Sequence, residues 1–262
     1  MAAERAILLG FDLEEFDMPL EYNCNIPFDE QLSVTNKGMK ALMPVLDSCR
    51  TAATFFTTAN YALHNQEQVH ELSTRHEIAS HTFYHSSFKE EDLLSSRLAL
   101  EGITHKPVEG LRMPRMRQTS LKAIRDAGYL YDSSLNPTWL PGRYNNLNKP
   151  RTLHVEKSLI RLPASVTPAL RLPLFWLMFK NMPLPIFKKM ALHTLAHDKY
   201  LCLYFHPWEF ADLSTYKMPG YTKRVDGRRL AERLSKLIEA LKTEASFMET
   251  SAFIKRSAPI IV

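Results

Sequence analysis

Three segments of this 262-residue chain combine residue types that can do hydrolytic chemistry. In Ser80-His81-Thr82-Phe83-Tyr84-His85, two histidines stand four residues apart, which lets both meet on one side of a helical turn and offer imidazole nitrogens to one metal ion. Phe11-Asp12-Leu13-Glu14-Glu15 sets several carboxylates just beyond a short apolar run. Two histidines and one carboxylate, with coordination positions left for water, are what a hydrolytic metal centre requires, and a second carboxylate can then act as base. Cys202 to Glu209 delivers His206 at the end of another apolar run. An imidazole there can protonate a leaving amine, since its unperturbed pKa lies near neutrality. Taken singly, each segment also has a plainer reading: surface histidines, a solvated acidic loop, a hydrogen-bonded structural histidine.

The elements that must position these residues read as alternating strands and helices. Ala6 to Phe11 is a fully apolar strand ending in Asp12, Glu14, Glu15 and Asp17, and strand ends are where barrel enzymes keep their chemistry. Helical periodicity over Lys37 to Cys49 and a strand over Ala52 to Thr57 complete a first βαβ unit. A helix near Glu67 to Thr74, a strand at Glu77 to Ala79 and a helix from Glu90 to Leu100 follow, then a turn after Gly110-Leu111. Thr119 to Ala127 reads as a helix closed by Gly128, before a strand at Tyr129 to Asp132. Pro137 to Pro150 is a loop, His154 to Leu162 a hairpin, and Leu201 to Phe205 a buried strand. Gly227 to Thr243 is strongly amphipathic, and Phe247 to Thr250 reads as a last strand. The alternation favours a parallel barrel, and the absence of repeats or linkers favours one domain over 1-262.

Composition excludes more than it identifies. An apolar fraction of 45% and a charged fraction of 23% fit a globular chain and argue against disorder. The net charge of +5 comes from scattered Lys and Arg, with no basic run interleaved with aromatics to mark a nucleic-acid surface. Cys24, Cys49 and Cys202 form no disulfide or zinc pattern. Met1 to Gly10 lacks the long apolar core of a signal peptide, so a cytoplasmic setting is expected.

In their order along the chain, the segments resemble the polysaccharide deacetylase family, the NodB-homology or family-four carbohydrate esterases. Phe11-Asp12 with Glu14 resembles the first motif and Ala53-Thr54-Phe55-Phe56 the second strand. His76 to His81 followed by His85 resembles the metal-binding motif, Gly110-Leu111-Arg112-Met113-Pro114 the arginine motif, and His206-Pro207-Trp208-Glu209 the last motif. Gly128 to Leu135 is a familiar segment between them.

The resemblance implies an α/β fold, a distorted (β/α) barrel of about seven strands, holding a divalent metal ion, most often zinc. It implies Asp12 as general base paired with Arg112, His206 as general acid, and Glu14, His81 and His85 as metal ligands. Water activated at the metal would attack the acetyl carbonyl of an N-acetylated carbohydrate, with the backbone amide of Arg115 stabilising the oxyanion. The chain departs from the commonest pattern at Leu13, which replaces a second aspartate and leaves Glu14 or Glu15 as the carboxylate ligand. Glu14 is favoured by a variant branch with Asp-x-Glu and by strand alternation. Arg115 replaces an aromatic residue, and the usual Asp-Trp pair beside the general acid is missing. Asp132 and Glu209 are candidates for orienting His206, and Trp208 joins them near the substrate.

Leu170 to His193 is dense in apolar and aromatic residues beside Lys188-Lys189. It reads first as a helix packed on the barrel and second as a peripheral contact with a membrane-borne glycolipid. Two further functional readings stand beside sugar N-deacetylation: hydrolysis of a small ureido or cyclic amide on the same barrel, and a non-catalytic carbohydrate-binding barrel.

Overall fold

A computed structural model describes residues 5–257. Eleven strands are found among them: β1 (Ala6–Leu13), β2 (Thr54–Thr57), β3 (Glu77–Ser80), β4 (Gly110–Leu111), β5 (Tyr131–Asp132), β6 (Trp139–Leu140), β7 (Tyr144–Asn145), β8 (His154–Glu156), β9 (Leu159–Arg161), β10 (Tyr200–Phe205) and β11 (Ser246–Phe247). The main sheet runs β10-β1-β2-β3-β4-β5-β9-β8, with β11 also on β1. From β10 to β9 every neighbouring pair is parallel, so seven parallel strands form the curled wall of the expected distorted barrel. The hairpin expected over His154 to Leu162 is β8-β9, antiparallel. The chain after β9 then crosses toward β10, where Ser165 N–H donates to the Cys202 carbonyl at 2.9 Å and Cys202 N–H to Ser165 Oγ at 2.8 Å.

β1 is buried along its whole length, because it pairs with β10 and β2 and is covered on both faces. The helices are α1 (Phe28–Cys49), α2 (Ala59–His64), α3 (Gln66–Ser73), α4 (Asp92–Thr104), α5 (Leu121–Asp126), α6 (Trp176–Asn181), α7 (Leu184–Asp198), α8 (Gly227–Lys242) and α9 (Thr250–Ser257). The amphipathic stripe of α8 buries Leu230, Leu234, Leu237, Ile238 and Leu241 in the core shared with α1. α1 begins nine residues before the expected start, and Gly110-Leu111 is a strand rather than a lead into a turn. The strand expected to reach Thr250 stops at Phe247, because Thr250 opens α9 with its amide bonded to Thr54 Oγ1 at 2.9 Å.

Leu170 to His193 forms two helices, α6 and α7, broken where Pro183 follows Met182. Trp176, Phe179 and Lys180 of α6 are buried against the barrel. No helix among the described residues is long and apolar enough to cross a membrane.

Candidate active site

The C-terminal ends of the parallel strands bring the chemistry together. Asp12 lies in β1 and Glu14 just beyond it, His81 follows β3, Arg112 follows β4, and His206 follows β10. Alternation along an extended chain returns Asp12 and Glu14 to one face and sends Glu15 to the other. Glu15 accepts hydrogen bonds from Thr58 and Asn60, and burial, outweighing these bonds, raises its carboxyl above the usual range.

Glu14, His81 and His85 converge. Glu14 Oε2 lies 3.0 Å from His81 Nε2 and 3.1 Å from His85 Nε2, and the three ligand atoms stand within 4.8 Å of one another, all buried. The expected helical turn is not what joins the histidines. Residues 81–88 are irregular, Thr82 has φ 66°, and the loop is pinned by amides of Ala59 and Asn60 donating to the Thr82 and Phe83 carbonyls.

The second nitrogen of each ring is already committed. His81 Nδ1 is 2.8 Å from the Arg112 carbonyl oxygen, which can only accept, so Nδ1 carries the proton and Nε2 a lone pair. His85 Nδ1 is 2.8 Å from both oxygens of Asp17. These partners fix ring orientation and tautomer in the manner of metal-ligating histidines. Glu14 is also held, since Trp208 Nε1 donates to its Oε1 at 3.1 Å, leaving Oε2 directed at the imidazoles. Acceptor atoms so close together need a cation between them: a divalent metal, or in its place a proton. Burial alone would raise the Glu14 carboxyl, yet the facing histidines hold it far below the usual carboxylate range. Burial likewise opposes a charged His85, but Glu14 and Asp17 overrule it and push its pKa up to about 9. The donor set and its orientation therefore fit a divalent ion.

Asp12 and His206 stand beside this cluster. Asp12 Oδ1 accepts from Arg112 Nη1 at 2.6 Å, and Asp12 Oδ2 lies 3.9 Å from His206 Nε2. Arg112 is buried over the Phe56 ring at 3.8 Å and donates from Nη2 to Ser133 Oγ at 3.1 Å. Gly10 leaves it room, for a Cβ there would come within 2.9 Å of Arg112 Nη1. His206 Nδ1 is 3.0 Å from Glu209 Oε1, and the His206 amide donates to the same oxygen at 2.8 Å. The other oxygen, Oε2, lies 3.1 Å from Lys180 Nζ, which also donates to the Thr222 carbonyl at 2.8 Å. Burial disfavours the imidazolium, but the Glu209 bond and the charges of Glu14, Glu209 and Asp12 raise the His206 pKa.

The remaining sequence candidates separate. Asp132 does not orient His206: its carboxylate is engaged by Arg161 Nε at 3.0 Å and by the Ser134 amide at 3.1 Å, because the end of β5 faces the incoming β9 rather than β10. Trp208 stacks on His206 at 4.8 Å and braces Glu14. Arg115 lines the pocket with φ 56°, its side chain tied to Glu21 at 2.6 Å. Asp17 and Lys180 escaped sequence reasoning as orienting groups. Asp17 was visible in the acidic run after β1, whereas nothing local marks Lys180.

The cluster thus sits at the C-terminal mouth of a curled, parallel α/β barrel. The polysaccharide deacetylase family model matches residues 23–131, a span that holds His81, His85 and Arg112. No curated protein matches. Among solved structures, the chain is similar to a protein described as a polysaccharide deacetylase from Mycobacterium smegmatis, at 16% identity and TM-score 0.66 over 100% of this chain and 94% of that one. It is similar also to a protein from Pseudomonas aeruginosa whose description likewise names a polysaccharide deacetylase, at 14% identity and TM-score 0.63 over 98% and 92%. The Puue allantoinase aligns at 15% identity and TM-score 0.61 over 99% and 92%. Identities this low carry the fold alone. The partial match of the family model is to the family that the motifs resemble, and the solved structures share this chain's NodB-like fold.

Proposed function

We propose that this protein is a metal-dependent N-deacetylase acting on an N-acetylated sugar of a glycan, glycolipid or polysaccharide precursor, through one catalytic unit spanning the chain. The observation that carries the reading is the Glu14, His81 and His85 cluster beside the Asp12 and His206 pair. Two imidazoles and one carboxylate suit zinc, and such an ion, when bound, polarises the acetyl carbonyl and acidifies a water.

The protein's own groups do the proton work. Asp12, its Oδ1 held by Arg112, takes one proton of the attacking water on Oδ2. The water oxygen bonds to the acyl carbon, and the amide N–H of Arg115 is the donor assigned to the oxyanion. The carbon–nitrogen bond then breaks as His206 gives its Nε2 proton to the departing nitrogen, yielding acetate and the free amine. Glu209 favours the protonated His206 that this step needs. Trp176, edge-on to His206 at 5.2 Å, and Phe175 and Tyr204 on the pocket wall supply the apolar side against which an acetyl methyl packs.

Two variants test the roles. Asp12→Asn is expected to lower turnover by about 10²–10⁴-fold while metal stays bound at one equivalent, whereas His81→Ala loses metal and turnover together. Full activity in Asp12→Asn would overturn the base assignment.

A further inference from the structure

A second, shallower groove opens beside the catalytic pocket, between the β6-β7 hairpin and the start of α6. Trp139, Leu172 and Met178 line it together with Leu140, Phe175 and Leu177, and these last three also line the pocket, so the two depressions are continuous. Its rim is apolar and exposed: Leu170 is 76% exposed and Trp139 59%. The polar side chains along it are turned to the backbone. Arg171 Nη1 donates to the Lys149 carbonyl at 2.8 Å, Asn181 Nδ2 to the Tyr221 carbonyl at 2.8 Å, and Thr138 Oγ1 to the Arg171 carbonyl at 2.7 Å. A surface that recognises further sugar units would direct such groups at hydroxyls, whereas this one offers carbon.

We propose that the groove holds a hydrocarbon chain attached to the substrate, so that the preferred substrate is an amphipathic N-acetylated glycolipid with its sugar in the pocket and its chain over Trp139 and Leu172. This rests on the deacetylase reading for the headgroup. It also gives a use to the outward part of Leu170 to Met178, while the inward part of α6 serves the catalytic pocket.

The test is equilibrium binding by calorimetry to the zinc-loaded full chain, using methyl and octyl N-acetyl-β-glucosaminide below the micelle concentration, with triacetylchitotriose as a third ligand. Each fully buried methylene strengthens binding roughly fourfold, so burial of about two of those in octyl gives a preference of roughly fifteenfold. The octyl compound is expected to bind at least ~10-fold more tightly than the methyl one. The exposed-site double variant Trp139→Ser, Leu170→Ser should reduce this to under ~3-fold without changing methyl binding. Equal affinities, or a preference untouched by the variant, overturn the proposal. So does a chitotriose preference that the variant abolishes, which would give the groove to sugar units. Co-sedimentation with phosphatidylglycerol vesicles that the variant abolishes, without octyl preference, also overturns it and makes the patch a bilayer contact. Because binding is read apart from acetate release, an octyl preference without any release would leave the groove standing and refute the deacetylase reading.

Discussion

Glu14 meets two demands with its two oxygens: Oε1 is held by Trp208, and Oε2 faces His81 and His85. Without metal, that arrangement is completed by a proton on His85, whose folded pKa of about 9 lies above the ordinary value of 6.5. A raised pKa contributes stability that is fully present below the unfolded value and is lost as pH rises through the folded one. Metal-free protein should therefore show an unfolding temperature that falls between pH 6.5 and about 9, and saturating zinc should remove the fall; the same slope with and without zinc would contradict the cluster's role. His206 is the complementary case. In the proposed mechanism it must be protonated to act, its pKa is raised by Glu209, and activity is expected to fall as pH rises through that pKa. Glu209→Gln should move this basic limb to lower pH, an effect a purely structural residue would not produce. Asp12, His81, His85 and His206 were legible in the sequence because their types and motif order are local. Lys180 was not, since its value comes from a contact with Glu209, 29 positions away, and Asp132 was misread because sequence does not tell which neighbouring strand faces a carboxylate.

The largest departure at the scale of elements is the first half of α1. Its buried residues there include Gln31 and Thr35, which bond the Ile26 and Glu14 carbonyls, so the apolar periodicity that reveals a helix is absent where the helix supports the site loop. The two-residue strand β4 is equally hard to see, because pairing with β3 and β5 rather than any pattern of its own makes it a strand. Farther along α1, Gly38 lets the helix lie against the turn Pro207–Phe210, where a Cβ would come within 1.9 Å of the Pro207 carbonyl oxygen. Gly38→Ala should cost about 1–3 kcal/mol through overpacking. By displacing Trp208 from Glu14 it should also weaken zinc binding, measured by thermal melts and competition with a chelating dye. Unchanged melting and zinc affinity would refute this coupling of helix to site.

Across the whole molecule, the alternation of strands and helices foretold a parallel barrel, and seven parallel strands form it. How the barrel closes could not be read, because irregular chain around Ser165, rather than an eighth regular strand, meets β10. Closure of this kind leaves the mouth bordered by the β6-β7 hairpin and α6, which is why the apolar segment serves both the catalytic pocket and the groove beside it. Whether this mouth holds a divalent ion and cleaves acetamides is decided by acetate release from N-acetylated oligosaccharides and alkyl glycosides, comparing chelator-stripped protein with protein restored by one equivalent of zinc. Release is expected to disappear on stripping and to return with zinc. Zinc-loaded protein that binds the metal at Glu14, His81 and His85 yet frees no acetate from any of these compounds would refute the deacetylase assignment.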